Sequence, residues 1–365
     1  MGLAGGLRER GWETCAVLPS RGDLAERLDG AGVEVVVLPL AVLRRRLLTP
    51  AGMAGLAVAA RRERTTLAAM AGTSALVHSN TSVILGGAAA AGSAGVPHVV
   101  HVREIYAGAA SGLTARAWPL WRRRLLRADA RVCVSGAVAA QFGDSGDGWG
   151  SGTHVVHDGL VNPQRSASDH PHGGQDEIAP FSVAILGRIA DWKGQEVLVR
   201  ALAEPALAEI GAVALIAGDA YPGEQAPDIR GLAAALGVEH RVRMLGFRTD
   251  TADILASVDA VAVPSTRPDP LPNSAIEALA AGRPVVAANH GGLPEIVRDR
   301  STGLLVRPND PAALARALRE LADDPERRAR MGAAAAEDAR ERFGLERMLD
   351  EIEGVYATLG VRRQR

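Results

Sequence analysis

Short apolar runs separated by amphipathic or small-residue stretches recur along the whole chain. In the first half the runs at 12–19, 33–39, 75–78, 98–102, 131–134 and 154–157 read as strands. Helical spacing falls between them, at 24–31, in an arginine-rich stretch reaching about residue 70, and at 81–94. It recurs at 113–127 and up to about residue 142. A polar segment rich in Pro and Gly, 162–180, then interrupts the pattern as a linker does. The alternation restarts with strands at 181–186, 213–217, 242–245, 260–263, 285–287 and 303–306, and ends in helices at 311–322, 325–343 and 345–359. Strands alternating with helices predict parallel, doubly wound sheets.

The economical architecture is two successive α/β domains with a cleft between them, and ligands bind such sheets beyond the carboxyl ends of the strands. The expected bounds are a first domain over 1–165, a linker over 166–180, a second domain over 181–342 and a terminal helical segment over 343–365. Residues 1–11 read as the tail of a helix, where a doubly wound domain normally opens with a central strand. The first domain is therefore expected to lack its first strand, with the natural start lying upstream.

Composition narrows this picture. A chain of 365 residues is long for one core, and 47% hydrophobic residues suffice for two. No apolar run approaches a membrane span, and the N-terminus has no signal-peptide pattern. Cys15 and Cys133 sit in apolar runs without metal spacing, as small buried residues in a reducing cytosol do. The net charge of −1 conceals an asymmetry of +6 over 1–165 against −7 over 166–365, so the front half suits an anionic partner. Forty of the 41 basic residues are arginine, which leaves Lys193 as the only lysine and singles it out as a compact point charge.

Candidate chemistry concentrates in 267–295, RPDPLPNSAIEALAAGRPVVAANHGGLPE. Asp269 in a proline-punctuated loop and Glu277 in the following helix are carboxylates eight positions apart. Between them lies a helix N-terminus whose free N–H groups around Asn273 and Ser274 suit an anion. A diphosphate would use those groups, and sugar or ribose hydroxyls the carboxylates. The same residues, Ser274-Ala275-Ile276-Glu277, also spell an ordinary capping box. Upstream, Gly187-Arg188 ends a strand and Lys193 opens the next helix, so a fork and a point charge can converge on one diphosphate; two solvated charges at a helix entry are the alternative.

Three ordered blocks, GRIADWKG, RPDPLPNSAIEALAAGRPVVA and GGLPEIVRDRSTGLLVRPNDPAALARAL, resemble the retaining glycosyltransferases of family 4, which have the GT-B fold. In the first half VHSNTSVILGGAAAAGSAGVPHVVHVREI and DARVCVSGAV resemble the same family, especially its polysaccharide- and glycan-assembly members. The resemblance implies two Rossmann-like domains facing across a cleft, with the last helix crossing back to the first domain. It implies that Arg188 and Lys193 hold the diphosphate of a UDP- or GDP-sugar and stabilise the departing nucleotide, and that Glu277 binds the ribose. Asp269 stands where the family usually has Glu, one methylene longer, and would meet donor-sugar hydroxyls. Gly187, Leu271, Pro272, Asn273 and Ser274 would complete the donor contacts. His101 matches a family histidine on the opposite wall, touching the donor sugar and organising the acceptor, with Arg103 and Glu104 beside it or paired with each other. The implied reaction retains configuration by front-face attack and needs neither metal nor cofactor, in keeping with the absence of a D-x-D motif.

The expected partners are a nucleotide-sugar donor and a carbohydrate or lipid-linked acceptor, with no nucleic acid. A peripheral contact with an anionic membrane, from the cytoplasmic face, would use Trp118, Trp121, Leu125, Leu126, the arginines 122–124 and 127, and Arg44-Arg45-Arg46. The alternative places those tryptophans in the core. A catalytically silent GT-B subunit that binds a nucleotide or a partner is the competing function, and a GT-B epimerase has no supporting motif.

Overall fold

A computed structural model describes residues 2–43, 47, 49–106, 113–143, 152–160, 180–221 and 226–363. The chain divides into two compact units, Met1–Val161 with Leu345–Arg365, and Asn162–Gly344. Of the segments singled out above, Arg44-Arg45-Arg46 and nearly all of the linker lie outside the described residues.

The first unit contains β1 (Cys15–Leu18), β2 (Glu34–Val37), β3 (Val77–Ser79), β4 (His98–Val102), β5 (Ala130–Cys133) and β6 (Thr153–Val155). Every pairing is parallel, and among the described residues the strands fall into two sheets, β1-β2 and β3-β4-β5-β6. The helix Leu345–Thr358 belongs to this unit. It turns Met348, Leu349, Ile352, Val355 and Tyr356, at the three-to-four spacing of one helix face, onto Val99, Val132 and Leu7. Burying each such aliphatic side chain is worth about 1.5–3 kcal/mol. Polar contacts fix the same helix. Arg10 reaches Asp350 and Glu353, each at 2.6 Å, and Glu346; the Trp12 indole donates to Glu353 at 2.6 Å.

The second unit holds one sheet of six parallel strands in the order β12-β11-β10-β7-β8-β9. These are β7 (Ser182–Leu186), β8 (Val213–Ala217), β9 (Val242–Gly246), β10 (Ala260–Val263), β11 (Val285–Ala288) and β12 (Gly303–Val306). The strand order reverses between β7 and its two neighbours β10 and β8, which makes the carboxyl end of β7 the switch point of the sheet. Continuous Val, Ala, Ile and Leu runs suit strands covered on both faces: β10 and β11 are buried throughout. The helix Gln195–Ala203 covers one face with Leu198, Val199, Ala201 and Leu202, all fully buried.

Observed strands and helices lie within a few residues of those predicted, with two differences of substance. The helix expected from residue 81 begins at Gly86, after a turn that carries Thr81 and Ser82. Cys133 is buried as expected, but Cys15 is exposed. No helix among the described residues is long and apolar enough to cross a membrane.

Candidate active site

In the second unit, the sequence that leaves β7 turns sharply at Gly187 and presents Arg188, half-buried, with its guanidinium stacked over the Tyr221 ring at 4.6 Å. The Gln195 side chain donates to the Arg188 carbonyl at 3.0 Å and holds this turn from below. Five residues on, Lys193 precedes Gly194, which adopts φ +84°. A Cβ at Gly194 would stand 2.1 Å from the Pro264 carbonyl oxygen, so only glycine lets this loop approach the end of β10 so closely.

That approach joins two loops. The Trp192 carbonyl accepts from the Thr266 N–H at 2.8 Å, and Arg267 pairs with Asp191. Lys193 Nζ donates to Asp269 Oδ2 at 2.7 Å, with the Trp192 ring 4.3 Å from the ammonium. The Gly-Gly turn supports Asp269 from behind: the Gly292 N–H donates to its carbonyl at 2.8 Å. A Cβ at Gly291, which has φ +60°, would reach within 2.5 Å of that carbonyl oxygen. His290 Nε2 bonds the Ser265 carbonyl at 2.8 Å and closes the turn.

Beyond Asp269, Leu271 and Pro272 are buried and lead into the helix Asn273–Ala280. Pro272 itself is the N-cap residue, and no side chain caps the helix. Ser274 therefore sits inside the first turn rather than at its start, and the capping-box alternative fails. The Glu277 carboxylate has no hydrogen-bond or ion-pair partner among the described residues, and burial raises its pKa above the ordinary carboxylate value. Among the described residues this half-buried acid has no partner, and it follows a helix start that no side chain caps, which is an arrangement a ligand can engage. Among the described residues, no group of three His, Cys, Asp or Glu side chains could hold a metal ion.

In the first unit one expectation changes, the pairing of Arg103 with Glu104. His101 lies inside β4 and is fully buried; both ring nitrogens lack a hydrogen-bond partner. Its ring is 5.6 Å from that of His78, whose Nδ1 bonds the Tyr356 hydroxyl at 2.6 Å. Burial, then Arg103 and His78, drive the His101 pKa far below normal. The residues at the end of this strand are Arg103 and Glu104, and they do not form a side-chain pair. Arg103 makes a two-point ion pair with Asp158, at 2.6 and 2.8 Å. Glu104 accepts from the hydroxyls of Thr81 and Ser82, each at 2.6 Å, and from the Arg103 backbone N–H at 3.1 Å. In the helix Leu113–Leu125, Trp118 stacks on Tyr106 at 5.2 Å and meets Phe142 at 6.1 Å, so its ring packs against the protein.

Residues 176–338 match the family model for glycosyl transferases group 1, and residues 1–159 that for the glycosyl transferase 4-like domain. The chain thus carries two glycosyltransferase-family domain matches and has the GT-B fold. Among solved structures, the chain is similar to HepE of Anabaena in complex with UDP, with 26% identity and a TM-score of 0.78, over 98% of this chain and 94% of that one. HepE has also been solved with UDP-glucose. Sucrose-phosphate synthase from Thermosynechococcus elongatus shares the fold, at 19% identity and a TM-score of 0.71, over 98% of this chain and 92% of that one. Among curated relatives, the D-inositol 3-phosphate glycosyltransferase of Salinispora tropica is 40% identical over 48% of this chain and 38% of its own length. That of Streptomyces avermitilis is 39% identical over 52% of this chain and 42% of its own length. The chain thus spans about two fifths of the curated relatives it matches.

Sequence reasoning missed the supports of the site. Tyr221 beneath Arg188 lies in the loop after β8, 33 positions away, and nothing local marks it. Trp192 precedes Lys193 and Gln195 follows it by two positions, and a glutamine buried in the first turn of an amphipathic helix was a readable signal. Asp158, the partner of Arg103, was not singled out either.

Proposed function

We propose that this glycosyltransferase moves a sugar from a UDP-sugar to a hydroxyl acceptor with retention of anomeric configuration, in the assembly of a surface polysaccharide or glycolipid. The observation that carries the reading is the cluster at the carboxyl ends of β7 and β10. It combines two cations, Arg188 and Lys193, a helix start without a side-chain cap, and an unpaired carboxylate, Glu277.

As the glycosidic C–O bond breaks, negative charge grows on the β-phosphate and the sugar takes on oxocarbenium character. Arg188 and Lys193 stabilise that leaving group, so this reading assigns no role to a metal ion. Backbone N–H groups of Asn273 and Ser274 bind the phosphates, Gly187 leaves room for them, and Leu271 and Pro272 shape the sugar side. Glu277 accepts from ribose hydroxyls, which offsets the desolvation it suffers in the free protein. The bonds that Lys193 makes to Asp269 and those that Gly292 makes behind it pre-orient the cation before the donor arrives. HepE, solved with UDP and with UDP-glucose, supports uridine as the base.

The acceptor offers a hydroxyl on a carbohydrate or lipid-linked carrier, and Arg103 and Glu104 are the first-unit residues this reading places near it. A peripheral membrane contact would rest on the exposed Leu120, Leu126, Arg123 and Arg127 rather than on Trp118. The test is donor turnover: UDP release from UDP-glucose, UDP-galactose and UDP-N-acetylglucosamine is followed with a panel of sugar and inositol-phosphate acceptors. Acceptor-dependent UDP release, lost in Lys193→Ala, supports the reading. A folded protein that binds UDP but transfers to no acceptor favours the silent subunit.

A further inference from the structure

We propose that Asp269 is the resting counter-ion of Lys193, a positioning residue whose charge sets how tightly the second unit binds a nucleoside diphosphate. The inference rests on the donor-site reading above and deepens it. The carboxylate is 2.7 Å from the ammonium, and the side chains are only 6% and 22% exposed. Trp192 lies against the ammonium at 4.3 Å. Neither partner swings freely. The Asp269 backbone is packed against Gly291 and bonded to Gly292, and the Lys193 N–H donates to the Ala190 carbonyl at 3.1 Å, just before the Gly194 contact with Pro264.

With both backbones fixed, the short aspartate arm ends on the lysine. An ammonium has three donors, and this pair occupies one. An incoming diphosphate takes the others, but it meets a pair whose net charge is near zero. The carboxylate thus opposes the anion it helps to receive: it orients the lysine at a cost in affinity. A carboxylate whose only work is to accept from donor-sugar hydroxyls has no reason to weaken the binding of a nucleotide without a sugar in this lysine-dependent way.

Calorimetric titration with UDP at low ionic strength separates these roles, using wild type, Asp269→Asn, Lys193→Ala and the double variant. Asn keeps the shape and an acceptor oxygen but removes the charge. The expected result is tighter UDP binding by Asp269→Asn, by on the order of tenfold, shrinking as salt is raised. The gain should largely vanish when Lys193 is already alanine. Unchanged or weaker binding by a folded Asp269→Asn protein overturns the inference, as does a gain of the same size without the lysine. Wild type that binds no nucleotide removes the donor-site reading and this inference together, whereas wild-type binding without the Asn effect removes the inference alone.

A second measurement uses the wild-type protein. Lys193 is the only lysine, so side-chain 15N-lysine labelling gives one ammonium signal. Slow hydrogen exchange at that signal before UDP is added is the expected result. Exchange as fast as that of free lysine contradicts the pair.

Discussion

The sharpest structural commitment is at Gly194, whose replacement by alanine disturbs stability and ligand binding through one contact. The added Cβ would stand 2.1 Å from the Pro264 oxygen and 2.6 Å from its carbon, far inside van der Waals contact, in a backbone at φ +84°. The left-handed conformation alone costs a non-glycine residue roughly 1–2 kcal/mol. Overpacking against fixed backbone adds about 1–3 kcal/mol. The total of about 2–5 kcal/mol should lower the Tm of the second unit by roughly 4–20 °C, at ~2–4 °C per kcal/mol for a domain of this size. Gly211→Ala is the control: φ is +60°, but nothing lies within 4 Å of the added atom, so conformational strain acts alone. Differential scanning calorimetry should place Gly194→Ala well below Gly211→Ala, and UDP titration should show Gly194→Ala weakened at least tenfold because the loop carrying Lys193 has moved. Equal melting temperatures together with wild-type UDP affinity would refute the claim that this glycine sets the lysine's position.

Glu277→Gln should stabilise the ligand-free protein at pH 7 while weakening UDP binding. The folded-state pKa is raised by burial, so the native state holds its proton more tightly than the unfolded state. Stability from this group is full below the unfolded value near 4.5 and is lost as pH rises through the folded value, so the advantage of Gln should disappear in melts run below about pH 4.5. In the first unit, burial, then Arg103 and His98, lower the His78 pKa to about 3. The unfolded chain binds that proton first, so stability should fall as pH drops below about 6.5. The loss from His78 alone should be on the order of 2–3 kcal/mol by pH 4.5, at ~1.36 kcal/mol per pH unit. Urea melts of His78→Gln should show a shallower acid decline than wild type, and an identical decline contradicts the assignment.

Much of the framework was legible because it is written locally. Strands buried on both faces must be runs such as VALIA or AVAV, and the helices between them carry their apolar residues at helical spacing, so two rounds of alternation show without long-range information. The candidate donor residues could be picked out for a related reason: Arg188, Lys193 and Asp269 lie in loops that follow strands and Glu277 in the helix after one of those loops, all in short, strongly patterned segments. What was not legible has a different origin. His101 is buried in phase with Val99, and that face is covered by Tyr356 and its helix, some 250 positions away. All five residues of β4 are buried, so alternation could not mark the burial of His101, and the covering helix left no local signal. The capping box was ambiguous until Pro272, with its fixed φ and extended ψ, set the helix start one residue ahead of Ser274. Arg103 pairs with Asp158, just beyond the end of β6, while Glu104 is engaged by the Thr81 and Ser82 hydroxyls, and neither partner is close in sequence.

The central claim is that the second unit binds a nucleoside diphosphate through Lys193 and Glu277. The most direct measurement is thermal unfolding of wild type, Lys193→Ala and Glu277→Ala with UDP, GDP or ADP. A ligand at 100 times its dissociation constant adds about 2.7 kcal/mol of stability, which is readily seen. A rise in Tm with UDP for wild type, strongly reduced in both variants, is the predicted result. Folded wild-type protein whose Tm moves with none of the three nucleotides contradicts it.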